Sequence, residues 1–184
     1  SGIDSAHIAA ERGLPFSYAY FFGVGVEHGP PIVESYRQHF RPSEFLTEPK
    51  VNVTIQVLCA ETEEEARHLA ASRNLVRLNI VRGRRRGVAT PEEALAYPYS
   101  QDELAYLEQY LRTNVDGDPQ QVKEKLERLS EAFQTSDLGI VTICYDFARR
   151  IRSYELVAEA CGLTAPNPEQ INDLPATLSH DVAD

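Results

Sequence analysis

Val51-Asn52-Val53-Thr54-Ile55-Gln56-Val57-Leu58-Cys59 alternates apolar and polar residues with period two. Successive side chains of an extended chain point to opposite faces, so Val51, Val53, Ile55 and Val57 share one face and the stretch reads as a strand. Thr62-Glu63-Glu64-Glu65 follows at once. It reads as a capping box, with the Thr62 hydroxyl serving the third helical amide while Glu65 reaches back, and it opens a helix to about Asn79.

Strands and helices alternate on both sides of this unit. Residues 5–12 read as a short helix capped by Ser5 or Asp4 and stopped by Gly13, and residues 14–22 are an aromatic-rich, almost uninterrupted apolar run. Such a run is expected of a strand buried on both faces, with Pro15 at its start. Residues 23–31 form a glycine-bearing loop, and residues 32–40 form a helix that ends before Arg41-Pro42. Downstream, Ser100-Gln101-Asp102-Glu103 and Asp118-Pro119-Gln120-Gln121 open two further helices, the second with a stripe of Val122, Leu126, Leu129 and Phe133. Residues 138–145 read as a third strand. Asp146 caps a last helix over 147–161 that Gly162 ends, and the Pro-, Asn- and Asp-rich residues 163–184 read as an exposed tail. Strands separated by helices imply parallel pairing through crossovers and hence an α/β fold. Three strands are too few to close a barrel, so the pattern reads as the back portion of something larger.

Composition narrows the classes. The 184 residues are 42% hydrophobic and 25% charged, close to soluble-domain averages. The net charge of -10 repels a phosphate backbone, so no nucleic-acid partner is expected. No apolar stretch suits a membrane span. Cys59, Cys144 and Cys161 are widely spaced, which argues against a disulfide framework and a zinc site and makes a reducing cytoplasm the expected setting. The histidines lack paired metal-ligand spacing. The chain contains no Met and begins Ser1-Gly2-Ile3-Asp4 without the segments of a signal peptide. It is read as a stretch from inside a longer polypeptide, a processed precursor being the alternative.

Residues 1–16, Ser-Gly-Ile-Asp-Ser-Ala-His-Ile-Ala-Ala-Glu-Arg-Gly-Leu-Pro-Phe, resemble a segment midway along bacterial luciferase-like flavin-dependent monooxygenases. Residues 146–160 resemble that family's closing helix, and Phe40-Arg41-Pro42-Ser43 and Gly117-Asp118-Pro119-Gln120-Gln121-Val122 resemble landmarks between them in the same order. The resemblance implies that residues 1–162 are the C-terminal portion of a (β/α)8 TIM barrel of about twice this length. It also implies that the first strands, with much of the flavin pocket and most proposed catalytic groups, lie outside this sequence.

The family's segment matching residues 1–6 holds the FMN phosphate, so the resemblance makes Ser1, Gly2 and Ser5 the candidate contacts. A serine-bearing loop entering a helix offers unpaired amides and the positive end of the helix dipole. Ser5 as a plain helix cap is the competing reading, and Asp4 would repel a phosphate unless it points away. Tyr20 falls where relatives carry an aromatic or His residue facing the flavin. It is read either as packing on the isoalloxazine or as a core aromatic. Phe22 and His28 border the same region, with His28 solvated or a base. Arg82-Gly83-Arg84-Arg85-Arg86 is either a solvated loop or part of a lid whose arginine clamps phosphate on closure. Cys59 and Cys144 read as inert core thiols.

The implied function is a monooxygenase using reduced FMN and O2 on a small organic substrate, with a separate flavin reductase supplying the cofactor and deazaflavin as a less favoured alternative. The competing class is a non-catalytic flavin-binding or self-associating protein. Its open sheet edges would be covered by a missing N-terminal barrel half or by a homo-oligomer.

Overall fold

The computed structural model describes residues 2–22 and 27–164. Helix α1 (Ile3–Glu11) leads into strand β1 (Phe16–Ala19), followed by α2 (Gly29–His39), β2 (Val51–Cys59), α3 (Glu63–Val81), α4 (Pro91–Leu95) and α5 (Gln101–Leu111). Strand β3 (Asn114–Gly117), α6 (Pro119–Phe133), β4 (Leu138–Val141) and α7 (Phe147–Ala160) complete it.

Strand β2 is the axis. Phe16 pairs with Val51, Gln56 with Asn114, and Val53 with Leu138, all in parallel. The parity of its hydrogen bonds places the neighbours. Lys50 and Thr54 carbonyls accept from β1 residue Phe16 and from Tyr20, and the Ala60 amide donates to Gly117 of β3, whereas the Val53 amide donates to Asp137 before β4. Even residues therefore face β1 and β3, and odd residues face β4. Strand β3 continues along the edge that β1 leaves, and β4 lines the opposite edge. All four strands of the sheet are parallel and alternate with helices, as in the C-terminal portion of a (β/α)8 barrel.

The sheet has one apolar face. Val51, Val53, Ile55 and Val57 of β2, with Phe16 and Tyr18 of β1 and Val115 of β3, bury against Ala6, Ala10, Val33, Tyr36, Val122, Leu126, Phe133, Leu156 and Val157 of the helices. This stripe offsets the cost of ordering α1, α2, α6 and α7. The opposite face is polar. At its amino-terminal end Asn52 accepts through Oδ1 from Ser17 Oγ at 3.0 Å and Thr54 Oγ1 at 3.1 Å, and its Nδ2 donates to Asp137 Oδ1 at 2.7 Å.

The structure departs from the sequence reading in local ways. Strand β1 alternates buried and open positions, so it is covered on one face rather than two. The N-cap of α1 is Gly2; Asp4 and Ser5 lie inside the first turn. Gly13 stops the helix as expected. It adopts φ 61°, and a Cβ there would meet the Arg41 carbonyl at 2.5 Å. Helix α4 and strand β3 are additional to the elements expected from the sequence. The tail boundary at 163 falls almost where the described residues end; residues 165–184 lie outside them.

Candidate active site

Barrel enzymes place their reactive groups beyond the carboxyl ends of the strands. The groups at and below that end arise from α1, the end of β1, the carboxyl half of β2, and the α3–α5 excursion that precedes β3.

Gly2 is extended at φ -137° and ψ 171°, and its carbonyl accepts the first helical bond from the Ala6 amide at 3.2 Å. The amides of the first turn point out of the helix, and Gly2, Ile3, Asp4 and Ser5 are all exposed. No atom lies within 4 Å of where a Gly2 Cβ would stand. The Ser5 hydroxyl turns back on its own loop, donating to the Gly2 carbonyl at 2.7 Å and accepting from the Gly2 amide at 3.1 Å. An open turn of amides with the dipole behind it fits a phosphate; the Asp4 carboxylate in the same turn works against one. Ser1 lies outside the described residues.

Tyr20 is placed in the helix-side core. It is 4% exposed and meets the Phe133 ring edge-on at 5.1 Å between centroids. Burial, reinforced by Tyr18 and Glu27, pushes its phenol up to about 12. This is the core-aromatic alternative, and it leaves no open ring face for a flavin. The reason is parity: Phe16, Tyr18 and Tyr20 share the buried face, so the opposite face belongs to Ser17, Ala19 and then Phe21. Phe22 is exposed and its carbonyl accepts from Arg77 Nη2 at 3.0 Å; His28 is exposed at the start of α2.

Arg77 joins the end of β1 to the excursion. Its Nε donates to the Tyr106 hydroxyl at 2.6 Å, and its guanidinium carbon lies 5.1 Å from the Tyr110 ring centroid. Tyr110 in turn donates to Gln56 Oε1 at 2.5 Å. Gln56 Nε2 and both amide atoms of its register partner Asn114 are buried without a partner among the described residues. Two positions along β3, Asp116 has both oxygens held at 2.7 Å by Arg73, which is 1% exposed. The sequence pattern signals none of these polar groups. Period two sets Gln56 on the face opposite Ile55 and Val57, but its partner Tyr110 lies on an element more than fifty residues away.

The arginine run is anchored at its base. Arg82 meets Glu103 at 3.2 Å and Arg84 donates to the Tyr97 hydroxyl at 3.3 Å. Arg84, Arg85 and Arg86 line a cleft of about 650 Å³ floored by Val76 and Ile80. Cys59 is buried, and burial with Asp118 and Glu61 nearby pushes its thiol up to about 11; burial raises Cys144 as well. Among the described residues, no group of three or more His, Cys, Asp and Glu side chains could hold a metal, and no helix is long and apolar enough to cross a membrane.

Parallel strands alternating with helices give this chain the α/β arrangement of the C-terminal part of a (β/α)8 barrel. No protein-family model matches the chain. It is similar to the uncharacterized protein YceB of Bacillus subtilis, 34% identical over 86% of this chain and 47% of that one. It is also similar to a luciferase-like monooxygenase of Escherichia coli, 25% identical over 86% of this chain and 47% of that one. Among solved structures, apo-MsnO8 superposes with a TM-score of 0.80 at 31% identity, over 90% of this chain and 50% of that one. The oxygenating constituent of 3,6-diketocamphane monooxygenase from Pseudomonas putida, solved with FMN, shares the fold at a TM-score of 0.55 and 23% identity, over 88% and 46%. The chain is similar to luciferase-like monooxygenases, and it spans about half the length of the curated relatives it matches.

Proposed function

We propose that this chain is the C-terminal part of a luciferase-like monooxygenase that uses reduced FMN, delivered by a separate reductase, and O2 to oxidise a small organic substrate. The observation that carries the reading is the open first turn of α1, set at the carboxyl end of a parallel sheet whose relatives are monooxygenases. Ser1, Gly2 and Ser5 would hold the phosphate, and the flavin, when bound, supplies the oxidising chemistry. The chain's own residues do the rest. Gly2 lets a ligand approach the backbone, Ser5 can exchange its internal bond for one to phosphate, and Phe21 and Phe22 with Arg77 keep water from the strand ends. Tyr20 takes no part at the flavin ring, because its own ring is enclosed.

The outer edges of β1 and β4 are unpaired among the described residues, which favours completion by an N-terminal barrel half. The test is flavin fluorescence titration of the 184-residue chain, followed by O2 uptake with a flavin reductase present. Saturable FMN binding that inorganic phosphate displaces supports the reading. Absence of binding, with and without a co-expressed N-terminal half of a relative, overturns it. Binding without O2 uptake in the completed barrel would instead favour the non-catalytic class.

A further inference from the structure

Arg73 and Arg77 stand one turn apart on the same face of α3, and their guanidinium groups are partnered differently. Both Nη atoms of Arg73 are taken up by the two oxygens of Asp116. Arg77 meets neutral groups: its Nε donates to the Tyr106 hydroxyl at 2.6 Å and its Nη2 to the Phe22 carbonyl at 3.0 Å. Among the described residues no carboxylate oxygen lies within 4.0 Å of it, and its Nη1 makes no hydrogen bond and is open to solvent. Glu103, the buried carboxylate of α5, is already engaged by Arg82. Residues 23–26, which follow Phe22, are Gly-Val-Gly-Val and bring no acid.

A guanidinium holds five N–H groups in one plane, so three on Arg77 remain, two of them on Nη1. The group lies at the carboxyl end of β1, where Phe22 is 45% exposed. The Phe22, Tyr106 and Tyr110 rings stand 6.0, 5.8 and 5.1 Å from its carbon. Ring faces favour the cation without neutralising it, and in displacing water they strengthen its attraction for an anion. A half-buried fork with no counter-ion, beside an exposed ring, is complementary to a planar group with two acceptor oxygens on an apolar body. The Arg73–Asp116 pair is the same fork already filled, one turn earlier on the same helix.

We propose that Arg77 sets substrate class: it takes the carboxylate of an organic acid on the open edge of its fork, with Phe22 against the adjoining apolar body. That this acid is the molecule oxidised rests on the monooxygenase reading; the fork itself does not.

The test compares benzoate with its neutral analogue benzamide, each titrated into the full 184-residue chain and followed by ligand-observed NMR. The parent should prefer benzoate. Arg77→Gln should weaken benzoate by about tenfold, the equivalent of about 1.4 kcal/mol, and leave benzamide unchanged. A loss shared equally by both ligands would show a purely structural role and overturn the proposal, as would benzoate binding that Arg77→Gln does not alter, or none in the parent. Should Arg77→Gln fail to fold, Arg77→Lys keeps the charge without the fork and should show a weaker preference for benzoate; an undiminished preference overturns the proposal. Co-expression of the N-terminal half of a relative should preserve the preference, and its loss there would mean that a protein carboxylate fills the fork. FMN titration separates the other source of an oxyanion: Arg77→Gln should leave FMN affinity unchanged, and an equal loss for FMN and benzoate would assign the fork to the flavin phosphate. A chain that binds benzoate through Arg77 but no FMN would sink the monooxygenase reading and leave this assignment standing.

Discussion

Arg73 on α3 and Asp116 on β3 face each other as a planar fork, with Nη1 to Oδ1 and Nη2 to Oδ2 both at 2.7 Å. The two ends of the pair are unequally dry: the Arg73 side chain is 1% exposed and the Asp116 side chain 23%. Asp116→Ala strands a buried guanidinium, whereas Arg73→Met leaves a carboxylate that solvent can still reach. Asp116→Ala should therefore cost about 3–5 kcal/mol and Arg73→Met clearly less. Urea unfolding of both variants measures the difference, and equal costs would show that burial of the guanidinium is not what sets the penalty.

That pair also marks where the sequence stops being informative. The frame is legible because Val51 to Val57 of β2 alternate and because Thr62, Ser100 and Asp118 each precede a helix with a side chain that caps it. Strand β3 is not, since Asn114-Val115-Asp116-Gly117 has one large apolar residue and takes its stability from pairing with β2. Thr90 and Glu93 form the same reciprocal cap that announces the other helices, so α4 is open to detection by that signal. Tyr20 escapes for another reason: in the nearly continuous run of residues 16–22, hydropathy does not say which parity faces the helices. Only the Phe133 ring against Tyr18 and Tyr20 decides it.

Glu103 sits 4% exposed where the arginine run returns to α5. The Ser100 amide donates to its Oε2 at 2.7 Å, the Tyr97 hydroxyl donates to Oε1 at 3.0 Å, and Arg82 approaches Oε1 at 3.2 Å. The Ser100 amide first, then the Tyr97 and Arg82 contacts, hold its carboxyl below the ordinary carboxylate range. A depressed value in the folded state stabilises above the unfolded pKa of about 4.3, and that stability is lost as pH falls through the folded value. Glu103→Gln should lower the melting temperature at about pH 7, and the gap from the parent should close by about pH 3. Melting curves across that range test it; a gap that persists in acid would assign the loss to packing.

Asp4 and the phosphate reading pull in opposite directions. A carboxylate in the first turn of α1 complements the helix dipole, but it opposes an anion bound to the same amides. Asp4→Asn should slightly destabilise the helix while tightening FMN up to about fivefold, corresponding to about 1 kcal/mol at an exposed terminus. The gain should shrink with added salt. Fluorescence titration of both chains at low and high ionic strength measures it, and weaker FMN binding by the variant would place the phosphate elsewhere.

The Tyr110 hydroxyl donates to Gln56 Oε1, and Gln56 Nε2 already lacks a partner among the described residues. Tyr110→Phe keeps the ring parallel to Tyr106 but leaves the whole Gln56 amide unpaired in a site 2% exposed. It should cost about 1–3 kcal/mol, the penalty of an orphaned buried polar group. Gln56→Leu abandons the Tyr110 hydroxyl in the same way but also removes the orphan Nε2, so it should cost less than Tyr110→Phe. With both changes the polar demand on that pair vanishes, and the double variant should be more stable than the sum of the single losses by about 0.5–3 kcal/mol. A double-mutant cycle in urea reads this coupling directly, and strict additivity would mean that solvent already satisfies the groups the sheet and α5 enclose.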